Sequence, residues 1–160
     1  MQLYLLRHGI AEEGHPGQPD SERALTPEGI KKLRQSLKLA RDAGVAPTLI
    51  LTSPYRRALE TADLAREILG CEEELVKTNV LIPSARPEAV WDELKLYRSE
   101  PQVLLAGHDP LFSNLTGYLL HCPSLLIDFK KGAMVCVELE RFSGEPRGVL
   151  KWMLAPRLAG

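Results

Sequence analysis

The sequence predicts a three-layer α/β/α sandwich on a mostly parallel, mixed sheet, with an antiparallel hairpin at one edge near the carboxyl end. Three observations predict it. Short apolar runs alternate with amphipathic helical stretches from Leu3 to Leu119, and several of those stretches open on a proline. After Asp128 the alternation stops, and two β-like runs follow one another with only a turn between them. Parallel neighbours need crossover connections, so alternation favours a parallel sheet with helices on both faces. Two successive runs without a helix form a hairpin, which adds antiparallel strands.

The first element is Gln2-Leu3-Tyr4-Leu5-Leu6, an apolar run that stops at Arg7-His8-Gly9. It is short and bounded by glycine, so it reads as a buried strand whose chain turns sharply at Gly9. Open α/β sheets bind ligands beyond such carboxyl ends. Glu12 to Asp20, with Gly14, Pro16, Gly17 and Pro19, reads as a polar loop able to cover a site. Thr26-Pro27 opens a helix with an oxygen-bearing cap and a proline where the missing N–H is harmless. Ile30, Leu33, Leu37 and Ala40 recur at helical spacing, and Gly44 closes the helix. A strand is expected over Thr48 to Thr52. Ser53-Pro54 repeats the helix opening, followed by Ala58, Ala62, Ala65 and Leu69 before Gly70. Further elements are a strand at Glu74 to Lys77, a helix from about Pro87 to Tyr97 and a strand at Gln102 to Ala106. Asp109-Pro110 is the third such opening, with Leu111, Leu115, Tyr118 and Leu119 on one face. The hairpin runs are Ala133 to Leu139 and Val149 to Leu154, around Ser143-Gly144-Glu145-Pro146.

At 160 residues, with no internal repeat or low-complexity segment, residues 1–160 are expected to form one domain. The composition, 44% hydrophobic and 26% charged, is that of a soluble globular protein and excludes disorder. A net charge of −1 without a long basic run points away from nucleic acid and anionic membranes as bulk partners. The apolar start at Leu3 is too short for a signal peptide and no later run approaches membrane-spanning length, so a cytoplasmic protein is expected. Cys71, Cys122 and Cys136 lack metal spacing and read as buried free thiols, which fits a reducing compartment. Trp91, Trp152, Met134 and Met153 read as packing residues.

Arg56 and Arg57 fall in the first turn of their helix, where the dipole favours negative charge. Arg56 reads as reaching Glu60 or solvent. For Arg57 that reading and a bound anion stand level. Ala106-Gly107-His108-Asp109-Pro110 repeats the architecture of the first motif: apolar strand, glycine, histidine, helix start. His15 and His121 have no such setting and read as surface or structural residues.

Leu6-Arg7-His8-Gly9, then Ser53-Pro54-Tyr55-Arg56-Arg57-Ala58-Leu59-Glu60-Thr61, then Gly107-His108-Asp109-Pro110, resemble in order and spacing the motifs of the histidine phosphatase superfamily. With Asp20-Ser21-Glu22-Arg23-Ala24-Leu25-Thr26-Pro27-Glu28-Gly29 the resemblance covers nearly the whole chain, and it is nearest to the short SixA-type phosphohistidine phosphatases. It implies a phosphoglycerate-mutase-like fold, His8 as the phosphoryl-accepting nucleophile, and Arg7, Arg57 and His108 around the phosphate; Gly9 and Asp20 are further substrate-binding candidates. It also implies a phosphorylated protein as partner, such as a histidine phosphotransfer domain, or a small phosphorylated substrate.

Chemistry supports these roles separately. An imidazole attacks phosphorus only when neutral, and its ordinary pKa lies near neutrality. Neighbouring arginines disfavour a further positive charge on His8, and a carbonyl accepting from its other ring nitrogen would fix the reactive tautomer. Guanidinium forks can stabilise the equatorial oxygens in transfer without a metal or other cofactor. Larger family members carry an acid for alkoxide leaving groups in a longer connection; Val80-Leu81-Ile82-Pro83-Ser84-Ala85 offers none. Asp20 is the best stand-in, ahead of Glu12, Glu13 and Glu88. Phosphohistidine, with its labile P–N bond, makes the smallest demand on a missing acid and is the favoured substrate. Lys130-Lys131-Gly132 could bring a cation or N–H groups near the phosphate, although paired lysines are usually solvated. The rivals are a small-molecule phosphomonoesterase, a non-catalytic phosphate-binding module, and a metal hydrolase using His8, His108 and Asp109, the last disfavoured by ligand spacing.

Overall fold

The computed structural model describes residues 1–160. Strands β1 (Gln2–Arg7), β2 (Leu49–Thr52), β3 (Val76–Lys77), β4 (Gln102–Gly107), β5 (Met134–Glu138) and β6 (Val149–Leu154) form one sheet in the order β3-β2-β4-β1-β5-β6. The first four run parallel; β5 is antiparallel to β1, and β6 to β5, so the hairpin lies at the edge. Helices α1 (Pro27–Asp42) and α2 (Arg56–Leu69) cover one face, α3 (Pro87–Leu94) and α4 (Leu111–Leu119) the other. This is the three-layer α/β/α fold that the alternation predicts. No helix is long and apolar enough to cross a membrane.

Side chains alternate across a strand, so β1 serves both cores. Leu3 and Leu5 join Trp91, Leu94, Phe112 and Leu115 on one face. Tyr4 and Leu6 join Leu33, Leu37, Ala62 and Ala65 on the other. The chain leaves β1 toward α1 and leaves β4, its neighbour, toward α4 on the opposite face. A crevice therefore opens between the carboxyl ends of these two strands, the place where such sheets bind ligands.

Of the three expected cap-and-proline openings, one has the expected form: Thr26 Oγ1 accepts from the Gly29 N–H at 3.0 Å, with Pro27 at the first position. After Ser53-Pro54 the helix starts only at Arg56, because the Ser53 hydroxyl is turned to the Tyr55 N–H and to His108. After Asp109-Pro110 the helix starts at Leu111, and Asp109 reaches over it to accept from Ser113 N at 3.0 Å and Ser113 Oγ at 2.6 Å. The expected strand at Glu74 shrinks to Val76–Lys77, paired only with Leu51 and Thr52 at the sheet edge. The helix expected to reach Tyr97 finishes as a 3-10 turn, Lys95–Tyr97. Cys71 and Cys136 are buried thiols, but Cys122, just past α4, is exposed. Met153 also faces outward from the edge strand, unlike Met134.

Helix α1 lies against the chain just beyond the first motif. The Ile10 carbonyl accepts from Thr26 N at 2.9 Å, and Gly29 packs directly on Ile10. A Cβ at Gly29 would collide with the Ile10 carbonyl oxygen and lie 3.0 Å from the Ile10 nitrogen, neither of which is a flexible side-chain end. Gly29→Ala is therefore expected to cost about 2 kcal/mol in chemical denaturation despite the better helix propensity of alanine; unchanged or increased stability would show that this contact is not tight.

Candidate active site

Register assembles the site. Arg7 pairs with Gly107 across β1 and β4, and the His8 N–H donates to the Gly107 carbonyl at 2.9 Å, so His8 and His108 leave adjacent strands at one level. Their ring centroids are 5.2 Å apart. From β2, Ser53 N donates to the Ala106 carbonyl at 3.0 Å, and the Ser53 hydroxyl lies 2.9 Å from His108 Nε2. The first turn of α2 brings Arg57 over the strand ends, where its Nε donates to His8 Nε2 at 3.3 Å. Arg7, His8, Arg57 and His108 thus form one cluster, although Arg7 and His108 stand 101 positions apart in the chain.

His8 is 6% exposed, and its Nδ1 is 2.7 Å from the Gly9 carbonyl. A carbonyl only accepts, so Nδ1 carries the proton and the Nε2 lone pair faces Arg57. Burial pushes the His8 pKa down to about 4; the Gly9 carbonyl opposes this, while Arg57, Arg7 and Lys131 add to it. His108, 1% exposed, is pushed down to about 3, first by burial and then by His8 and Arg57. Both rings are neutral at pH 7, and Nε2 of His8 has the lone pair a nucleophile needs.

The two arginines are held differently. Arg7 Nη1 donates to the Phe129 carbonyl at 2.6 Å, while its buried Nε has no partner; burial also lowers its pKa. Buried His108 Nδ1 is likewise unpartnered. Unpaired buried polar atoms are costly, and two of them around two guanidinium groups make a setting for an anion. Arg57 Nη1 donates to the Asp20 carbonyl at 2.8 Å and Nη2 to its carboxylate at 3.0 Å. The polar loop is closed by a bridge between Ala11 and Leu25, and the 3-10 turn Asp20–Glu22 delivers Asp20 to Arg57. Partial burial pushes the Asp20 carboxyl up, but hydrogen bonds from Arg23 and Arg57 outweigh it and hold it below its ordinary value. In this arrangement Asp20 is an ionised partner for Arg57 and holds no proton to donate.

The other candidates stay outside. Glu12, Glu13 and Glu88 are exposed, and Glu88 lies 3.6 Å from Arg86. Arg56 reaches Glu60 at 3.7 Å, and Lys130 pairs with Asp128 at 3.1 Å. The Gly132 N–H bonds back to the Arg7 and His8 carbonyls at 3.1 and 3.0 Å, so the Lys130-Lys131-Gly132 loop supports the end of β1. Asp109 is committed to Ser113, and no group of three His, Cys, Asp or Glu side chains is arranged to hold a metal.

Sequence reasoning missed four supporting groups. Thr61 accepts from Gly9 N at 3.2 Å and donates to the Arg57 carbonyl at 2.7 Å, tying the first motif to α2. Its position four residues after Arg57, one helical turn on, was the available signal. Ser53 was read as a cap. Tyr55 places its ring edge-on to His108 and under the Arg57 guanidinium, both at 5.2 Å. The Phe129 carbonyl is a backbone group far along the chain and leaves no sequence signal.

Fold and site together define an α/β protein with paired neutral histidines and paired arginines at the carboxyl ends of parallel strands. The family model of the histidine phosphatase superfamily (branch 1) matches residues 3–81. An uncharacterised protein of Picosynechococcus sp. (strain PCC 7002) is 31% identical over 111 residues, covering 69% of this chain and 67% of that protein. The structure of the protein histidine phosphatase SixA complexed with tungstate superposes with a TM-score of 0.89 at 26% identity, covering 100% of both chains. Fold alone is shared with a mutant phosphoserine phosphatase of Entamoeba histolytica in complex with phosphoserine (TM-score 0.73, 16% identity, 98% of both chains). The same holds for the alpha-ribazole phosphatase of Shigella flexneri (TM-score 0.76, 17% identity, 98% of this chain and 97% of that one). The chain belongs to the histidine phosphatase superfamily, with a SixA-like, phosphoglycerate-mutase-like fold.

The buried neutral imidazoles make stability depend on pH. Unfolded histidines titrate near about 6.5, the folded ones at about 4 and about 3. Between these values the unfolded chain binds more protons, so the contribution is complete above about pH 6.5 and is lost as pH falls toward 4 and 3. The urea midpoint of the wild type should fall on acidification through this window, and His8→Asn should flatten part of the slope. Parallel slopes would contradict a neutral, buried His8.

Proposed function

We propose that residues 1–160 form one histidine phosphatase domain that works through a phosphoryl group carried on His8 Nε2, and that its preferred substrate is phosphohistidine on a protein. The observation that carries this reading is the 2.7 Å contact between His8 Nδ1 and the Gly9 carbonyl, which leaves Nε2 unprotonated beside Arg57. Nε2 attacks phosphorus in line as the bond to the substrate's ring nitrogen breaks, and that nitrogen keeps the electron pair and takes a proton from solvent. Arg7 and Arg57 meet the charge on the equatorial oxygens, with His108 supplying a further hydrogen bond. Water then attacks phospho-His8, the P–N bond breaks, and inorganic phosphate leaves.

The leaving group separates phosphohistidine from phosphate esters. A general acid contributes roughly 10²–10⁴-fold where an alkoxide must leave. Here Asp20 is ionised against Arg57, and Glu12, Glu13 and Glu88 are exposed with no bond to the cluster. A ring nitrogen that can be protonated needs far less help. The likeness over both full chains to a structure described as the protein histidine phosphatase SixA supports the same choice.

Incubation with a radiolabelled phosphohistidine donor should trap label on the wild type that is acid-labile and base-stable, and His8→Ala should trap none. Phosphohistidine should be turned over at least about 10²-fold faster by kcat/KM than phosphoserine, whose alkoxide needs a proton to leave. Label surviving on His8→Ala, or acid-stable label, would overturn the intermediate. Faster turnover of phosphoserine would overturn the substrate class and leave the intermediate standing.

A further inference from the structure

Between α1 and the segment after β6 lies a groove of about 890 Å³, and Arg7 forms part of its wall, so groove and catalytic cluster share a side chain. Its cationic side chains are Arg7, Lys32, Lys130, Lys131 and Arg157, faced by one carboxylate side chain, Asp128. In a chain whose net charge is −1 this is a local concentration of positive charge next to His8. Pairing inside the protein neutralises only part of it: Lys130 lies 3.1 Å from Asp128, and Lys32 lies 3.1 Å from Glu28 on its own helix. Lys131 and Arg157 stand exposed. Apolar surface is interleaved with the charge, for Ile10, Met153 and Leu158 line the same groove, the last two 38% and 72% exposed.

We infer that this groove receives an acidic, partly apolar stretch of polypeptide adjoining the phosphorylated residue of the substrate. The inference rests on the phosphoprotein reading and adds how that protein is recognised. A phosphoryl group fills only the pocket among the four catalytic side chains, whereas the groove has the volume of a much larger ligand. Cations around an active site speed encounter with an oppositely charged partner, and the exposed Met153 and Leu158 give an apolar side chain a place to bury. Single-stranded nucleic acid fits less well, because no aromatic ring lines the groove for a base to stack on.

Two phosphohistidine peptides of equal length test it, one with glutamates and a leucine after the phosphohistidine, the other with serines in place of the glutamates. The wild type should prefer the acidic peptide by about tenfold or more in kcat/KM at low salt, and the preference should shrink toward one at about 0.5 M NaCl. In Lys32→Glu/Arg157→Glu the ratio should fall to about one or invert; using the ratio cancels any general effect of the substitutions. Equal turnover of both peptides by the wild type would overturn the groove and leave the phosphohistidine reading intact. If neither peptide were hydrolysed, that reading would fail, and fluorescence anisotropy of the labelled, unphosphorylated acidic peptide would decide the groove separately. Binding weakened about tenfold by the double variant supports it, and absent or unaltered binding overturns it. Tighter binding of an oligouridylate than of the acidic peptide would also overturn it.

Discussion

The hydrogen bond from His8 Nδ1 to the carbonyl of the next residue, Gly9, is the interaction on which the site depends. It decides which nitrogen of the imidazole bears the proton, and so which one is free to react. The backbone there is held in turn: Gly9 N donates to Thr61, and Gly132 N donates to the carbonyls of Arg7 and His8. A slight turn of this segment would re-aim the ring. The sheet register does the rest, since pairing Arg7 with Gly107 puts the two imidazoles at one height.

Electrostatics and burial act in the same direction. Burying a histidine disfavours its charged form, and placing guanidinium groups beside it disfavours that form further. The arrangement that keeps His8 neutral therefore also concentrates positive charge for an incoming phosphoryl group. Asp20 balances Arg57, and its side chain lies largely exposed at the end of the polar loop. An oxyanion at Arg57 would compete with that carboxylate for the same guanidinium.

Much of this was legible in the sequence because the carrying signals are abrupt. An apolar run ending in Arg7-His8-Gly9, and a second ending in Gly107-His108, mark strand ends whatever the tertiary structure does later. Arg57 was undecided on local grounds, since a first-turn arginine can face solvent as easily as an anion; the motif around Ala58 to Thr61 resolved it. What could not be read follows from long-range packing. Ser53 looks like a helix cap in one dimension, and only the pairing of β2 with β4 brings its hydroxyl to His108. The Phe129 carbonyl and the Asp20 contact depend on where irregular segments lie, and no periodicity records that. The shortness of β3, which pairs with only Leu51 and Thr52 of the four-residue β2, likewise left no mark in the sequence.

The central claim is that His8 is a neutral imidazole protonated on Nδ1. Nitrogen-15 NMR of histidine-labelled protein reads this directly, because protonated and unprotonated ring nitrogens resonate far apart. At pH 7 the His8 signals should show a protonated Nδ1 and an unprotonated Nε2, and should hold until pH approaches about 4. An imidazolium at neutral pH, or the proton on Nε2, would contradict the account.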